Sequence, residues 1–141
     1  MWNRQVDAYS LDTSTWTQLA PMSKSLKELG CAVFDQTIVV TGGESGGHYY
    51  KDVYQLAGGV WKTIGQLEVP RARHTMGILD GKLLVIGGAR SWTDNGRWNT
   101  EYMDSIEEMQ QDGSFRLSKW KLSKNITEHA TAAIPRSKFT C

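Results

Sequence analysis

The chain has little of what usually announces chemistry. Of its 141 residues only two are cysteine, Cys31 and Cys141, too few for a disulfide framework. Cys31 stands in the apolar run 31–34, where a small buried thiol is expected. Net charge is almost absent, with 16 Lys and Arg against 15 Asp and Glu, so no global field draws the chain to nucleic acid or to an anionic membrane. No apolar run approaches the roughly 18 residues of a membrane span, and the opening Met1-Trp2-Asn3-Arg4 lacks the charged-then-apolar pattern of a signal peptide. The expectation is a cytoplasmic protein with neither membrane nor nucleic acid as partner. No segment spaces its apolar residues at intervals of three and four, which predicts essentially no helix.

The signatures of catalysis are also missing. The three histidines, His48, His74 and His129, stand apart, and no Cys/His cluster has the spacing of zinc or copper ligands. The run Gly42-Gly43-Glu44-Ser45-Gly46-Gly47 ends a strand without opening a helix, so it is no phosphate-binding loop. No catalytic residue, metal or cofactor is therefore assigned. Asn125-Ile126-Thr127 is a glycosylation sequon, relevant only in a secreted protein.

What is present is a repeat. Gly42-Gly43 recurs as Gly87-Gly88, Trp16 as Trp61 and Asp35 as Asp80, each 45 residues on, while Ile38-Val39-Val40 matches Leu83-Leu84-Val85 at the same offset. A period of that length built of short strands is that of a propeller blade. The first full unit is expected over 29–67, with strands 31–34, 37–41, 52–56 and 60–64 joined by turns at Asp35-Gln36 and Gly58-Gly59. The second is expected over 74–122, with strands 75–79, 82–86, 102–109 and 114–122 and turns at Asp80-Gly81 and Asp112-Gly113. Asp-Gly between aliphatic runs is a strong hairpin signal because both residues accept positive φ. Here Trp120 is matched to Trp61 and Tyr102 to Tyr54, which stretches the repeat to 59 residues through a long loop at 89–101. Residues 1–22 read as the last two strands of a preceding unit and 129–141 as the first strand of a following one.

An aliphatic strand closed by a double glycine, then a tyrosine, then a tryptophan resembles the kelch repeat. The pattern stands here as Val39-Val40-Thr41-Gly42-Gly43 with Tyr54 and Trp61, and as Val85-Ile86-Gly87-Gly88 with Tyr102 and Trp120. The arginine that the family often carries before the first strand is Arg71 in one unit and Leu26 in the other. The resemblance implies an all-β, kelch-type β-propeller fragment of four-stranded antiparallel blades, two complete and two partial. It implies that the glycine pairs, Tyr54, Trp16, Trp61 and Trp120 are packing residues. Two whole blades do not close a disc, so the remaining blades are expected from a longer chain or from a second copy. The family's functions supply three settings: substrate recognition in a ubiquitin-ligase adaptor, an actin-associated scaffold, and an extracellular adhesion module. A kelch-fold propeller enzyme acting on a sugar or small molecule is the alternative.

Blade geometry puts every long loop on one face, and loops on a rigid scaffold are the usual place for binding. In 89–101 Arg90, Trp92, Asp94, Arg97 and Trp98 crowd together, and Trp and Arg are enriched at interface hot spots. With Arg71, Arg73, His48, Tyr49 and Tyr50 from neighbouring loops they form the expected partner-binding set, an aromatic and basic surface suited to an acidic or aromatic segment of a partner protein or peptide.

Overall fold

The computed structural model describes residues 4–132. Fourteen strands follow one another without a helix among the described residues: β1 Val6–Ser10, β2 Thr15–Leu19, β3 Gly30–Phe34, β4 Thr37–Thr41, β5 Glu44–Ser45, β6 His48–Tyr49, β7 Asp52–Ala57, β8 Val60–Gln66, β9 Thr75–Leu79, β10 Lys82–Ile86, β11 Ala89–Asp94, β12 Arg97–Tyr102, β13 Ser105–Met109 and β14 Phe115–Lys121. Strands β3-β4-β7-β8 form one four-stranded antiparallel sheet and β9-β10-β13-β14 another. These are two complete blades. The pair β1-β2 is the outer half of a blade before them. The strand expected over 129–141 runs mostly through residues that, like Cys141, lie outside the described residues. Its first residues form no strand but lie beside β9, where the Thr131 hydroxyl donates to the Met76 carbonyl at 3.2 Å.

Turn chemistry explains the inner hairpins. Asp35 and Gln36 have φ of 46° and 59°, and Asp80 and Gly81 have 50° and 74°. Both central residues of a two-residue hairpin turn need this left-handed backbone so that its twist matches that of the strands. Between the two blades Val39 and Val53 from the first meet Met76, Leu83, Val85 and Phe115 from the second, with Leu67 from the connection. Fully burying one such side chain is worth about 1.5–3 kcal/mol.

Register corrects two of the expected equivalences. Val40 pairs with Tyr54 in the first blade, and Val85 pairs with Glu107 in the second. Leu56 pairs with Trp61, and Met109 pairs with Phe115. Glu107 therefore holds the place of Tyr54, and Phe115 holds that of Trp61. Tyr102 belongs to the inserted β11-β12 ribbon instead. Strand β14 carries one residue more than β8 between equivalent pairs, which moves Trp120 to the place of Gly65. Gly65 is where the outer turn of the next blade presses closest: a Cβ there would collide with the Gly113 carbonyl. Trp120 is 65% exposed and Trp16 71% exposed, so neither is buried between described blades as expected. Trp61 is half-buried and its indole N–H donates to the Ala20 carbonyl at 2.8 Å, which ties the first blade to the partial sheet before it. Cys31 is likewise exposed rather than buried, because it lies on the side of β3 that faces only that partial sheet. Partial desolvation pushes its thiol pKa up, away from thiolate reactivity.

The glycine pairs answer a close approach that recurs in both blades. At Gly42, with φ of 60°, a Cβ would strike the Arg71 carbonyl and the His74 ring. At Gly87, with φ of 64°, it would strike the Ile126 carbonyl and the His129 ring. Each pair is thus roofed by the connection to the next blade and by that blade's histidine. His74 is buried there, and its Nε2 shares a 2.8 Å hydrogen bond with the Thr41 hydroxyl. Burial, with the Arg71 charge nearby, lowers its pKa from 6.5 to about 3. The folded chain holds this imidazole neutral while the unfolded chain protonates it below pH 6.5, so stability falls as pH falls through that window. Denaturation midpoints measured from pH 7 down to about 5 should show a loss of about 2 kcal/mol. His74→Gln should remove most of that slope, whatever it costs at pH 7; an unchanged slope would show that His74 is not held neutral.

Candidate functional site

Both strand-two to strand-three connections rise from the same face of the blades, and both are hairpins. In the first blade β5 and β6 pair across Gly46-Gly47, whose φ values are 61° and 83°. The Glu44 carboxylate accepts from the Gly47 N–H to brace that turn and is paired with Lys27 at 2.8 Å. In the second blade the segment expected as a loop is a six-by-six ribbon, β11 with β12, turning at Asn95-Gly96 with φ of 48° and 76°. Asn-Gly between β-forming residues is a strong hairpin signal, so this ribbon was readable from the sequence.

Pairing within the ribbon separates residues that sequence places together. Arg90, Trp92 and Asp94 lie opposite Glu101, Asn99 and Arg97, which puts these six on one face. Ser91, Thr93, Trp98, Thr100 and Tyr102 occupy the other. Trp92 and Trp98 are 44% and 62% exposed, on opposite sides. They cannot grip one ligand together.

A cleft of about 530 Å³ lies between the hairpins, lined by Gly47, His48, Tyr49, Pro70, Arg90, Ser91, Trp92 and Thr93. It brings together four of the nine expected residues: His48, Tyr49, Arg90 and Trp92. The Tyr49 hydroxyl reaches across to the Ser91 hydroxyl at 3.4 Å, and the Arg90 guanidinium sits 5.4 Å from the centre of the Trp92 ring. Tyr50 turns instead to Lys24, whose ammonium is 4.4 Å from the ring centre, with His48 edge-on at 4.7 Å. Lys24 also pairs with Asp52 at 2.6 Å. That bond raises the Lys24 pKa, and hydrogen bonds from Lys24 and Gln66 outweigh burial to hold Asp52 below the usual carboxylate range. Arg97 and Trp98 stand at the tip of the ribbon on its outer strand β12 and do not line the cleft. Pro70, Ser91 and Thr93 carry no signal in the sequence; they join the cleft because the blades bring distant segments together.

The expected basic surface is corrected by its carboxylates. Arg71 is fully buried: it donates to Glu107 at 2.5 Å, to the Gly87 carbonyl at 2.9 Å and to the Ser105 hydroxyl at 3.1 Å. Arg73 lies between Glu28 at 2.9 Å and Glu128 at 3.5 Å. Arg90 is paired with Glu101 at 2.6 Å. These pairs neutralise three of the four arginines expected at the site, all but Arg97. Among the described residues no three His, Cys, Asp or Glu side chains are grouped to hold a metal ion.

No family model matches the chain. Curated relatives do. The chain is 25% identical over 122 residues to "Kelch repeat and BTB domain-containing protein 2" of Cowpox virus (strain Brighton Red), covering 84% of this chain and 22% of that protein. It is 23% identical over 94 residues to "Kelch-like ECH-associated protein 1B" of Danio rerio, covering 62% of this chain and 16% of that protein. The chain resembles the kelch-repeat family in sequence and in fold. It spans under a quarter of the length of these relatives.

Between the two blades one difference is coupled. Where the first blade places Leu26 beside Tyr54, the second places Arg71 beside Glu107, each pair at equivalent positions. Glu107 also accepts from the Glu68 and Val69 backbone N–H groups at 2.7 and 3.2 Å, so it fastens β13 to the inter-blade connection. Breaking a buried pair strands a charge, at a cost of about 3–5 kcal/mol, whereas replacing both partners can be near neutral. Glu107→Ala should lower stability by about 3–5 kcal/mol in denaturant titrations. The double variant R71L/E107Y, which copies the first blade, should recover most of the loss; no recovery would contradict the equivalence of the two sites.

Proposed function

We propose that the chain is a non-enzymatic protein-interaction module that holds a partner protein or peptide on its hairpin-bearing face, in the cleft between β6 and β11. The observation that carries this reading is the cleft itself. It is an open concavity walled by rigid, paired elements and lined by the aromatic residues Tyr49 and Trp92, with Trp92 part-exposed and backed by Arg90. Aromatic anchors in a concave, pre-formed site are the usual source of binding energy at protein interfaces. The pairing of Arg73 and Arg90 with carboxylates favours a partner gripped by aromatic contact over one recognised by its acidity.

Among the family's settings, substrate recognition in a ubiquitin-ligase adaptor has more support than an actin-associated scaffold. One relative's name joins kelch repeats to a BTB domain, the combination that such adaptors carry. That setting places the protein in the cytoplasm.

The test is affinity capture from cell extract with the immobilised chain, quantified prey by prey. Trp92→Ala should deplete a defined set of prey by tenfold or more, a loss of about 1.4 kcal/mol or greater. Trp98→Ala, on the outer strand β12 and outside the cleft lining, should retain them. Equal depletion by both variants, or by neither, would remove the cleft from the proposal.

A further inference from the structure

Between β6 and β11 lies a slot whose base the chain already fills with its own backbone. Residues 70–72, part of the connection between the blades, run between the two hairpins. The Arg71 N–H donates to the Tyr50 carbonyl at 3.2 Å on one side. On the other side Ala72 and Ala89 exchange both backbone hydrogen bonds at 2.9 Å in antiparallel sense. The hairpins are thus spaced at their base to accept one extended chain bonded to both walls. Pro70 forms the floor of the cleft above.

Backbone parity continues that arrangement upward. Because the N–H and C=O of Ala89 point to Ala72, away from β12, those of Ser91 and Thr93 point the same way. Glu44 exchanges both of its backbone bonds with Lys27, so its partner Tyr49 turns its own N–H and C=O away from β5, into the slot. One wall therefore offers the ladder groups of Ser91 and Thr93, and the other offers those of Tyr49. An exposed edge with free ladder groups is a template for strand addition.

We propose that the cleft takes an extended segment of its protein partner as an added strand, antiparallel to β11, continuing the track of residues 70–72. This deepens the reading of the cleft as the partner site and rests on it. The ladder bonds to Ser91 and Thr93 supply affinity without regard to sequence, while alternate side chains supply selectivity. The residue opposite Trp92 shares its face of the ribbon and is aromatic or β-branched, the cross-strand neighbours that pack best on an indole. Residues opposite Ser91 and Thr93 lie on the side of Tyr49, whose long 3.4 Å bond to Ser91 joins side chains across the slot, leaves the backbone groups of β11 free and gives way to the incoming strand. Acidic side chains are not required, since Arg90 is already matched by Glu101.

The probe is a phage-displayed library of random peptides selected on the immobilised chain, with the enriched peptides then synthesised and titrated. Thr93→Pro removes an outward N–H without touching a bond to β12, and should weaken these peptides about tenfold or more. Thr100→Pro, which removes an outward N–H from the opposite edge of the ribbon, should leave binding unchanged. N-methylation of single peptide amides should weaken binding at the alternate positions that face β11 and at the one that faces Tyr49, and nowhere else. Melting curves of both variants check the fold. Should Thr93→Pro itself unfold the ribbon, the N-methyl series on the wild-type chain decides. Peptides that bind equally well to Thr93→Pro, or that tolerate every N-methyl group, overturn the strand mode. If Trp92→Ala still abolishes their binding, the cleft stands as the partner site and only this inference falls. A library that yields no binder overturns it as well.

Discussion

The loop face depends on one constraint, the passage of an extended inter-blade segment directly over the glycine pair of the blade it leaves. Gly43 donates to the Arg71 carbonyl at 2.9 Å and Gly88 to the Ile126 carbonyl at 2.7 Å. The preceding glycine in each case has no room for a Cβ. Only where the backbones come this close can the segment reach both hairpins, with Tyr50 on one flank and Ala89 on the other. The spacing of the cleft is therefore inherited from the junction between blades. A substitution at Gly42 would disturb the site without touching any residue that lines it.

Around the same junction runs a second repeated feature. Glu28, Arg73 and Glu128 stand at equivalent places before the inner strands, with φ of 58°, 58° and 55°. Arg73 donates its N–H to the Glu28 carbonyl at 2.8 Å, and Glu128 donates to the Arg73 carbonyl at 3.0 Å. This staircase of backbone bonds, laced by the Arg73 ion pairs, links blade to blade at the inner ends. Such partly exposed pairs contribute little each, so the backbone bonds carry the linkage while the buried cluster around Phe115 supplies most of the free energy. The second blade then adds the Arg71–Glu107 pair, a polar tie where the first blade is apolar.

Much of this was legible in the sequence because local rules agree with it. Asp80-Gly81, the Gly42-Gly43 and Gly87-Gly88 pairs and the aliphatic runs between them fix the inner hairpins, and the 45-residue offset fixes the blade. Trp120 and Tyr102 fall out of place for one reason, insertion: Tyr102 ends the inserted ribbon and Trp120 follows it, and spacing along the chain stops reporting register once a ribbon and a bulge intervene. Phe115 and Glu107 hold the matching positions with different side chains, so no pattern of residue types could find them. The partner-binding set failed in part for a similar reason. Whether an arginine is free depends on carboxylates far along the chain, Glu107 for Arg71 and Glu28 for Arg73, whereas Trp92, Tyr49 and His48 come together because their loops share a face. The Asn95-Gly96 ribbon is different, since its turn is legible in the sequence although the repeat spacing points only to a loop.

Amide hydrogen exchange of the intact chain at neutral pH tests the junction and the open slot in one experiment. The account predicts that the amides of Gly43, Gly88, Arg73 and Glu128 are protected as strongly as those of the β4 and β10 core. It predicts that the amides of Ser91 and Thr93 exchange rapidly. Fast exchange at the four junction amides beside a protected core would show blades that fold independently, and protection at Ser91 and Thr93 would show a slot that is already closed. Either result would contradict the account.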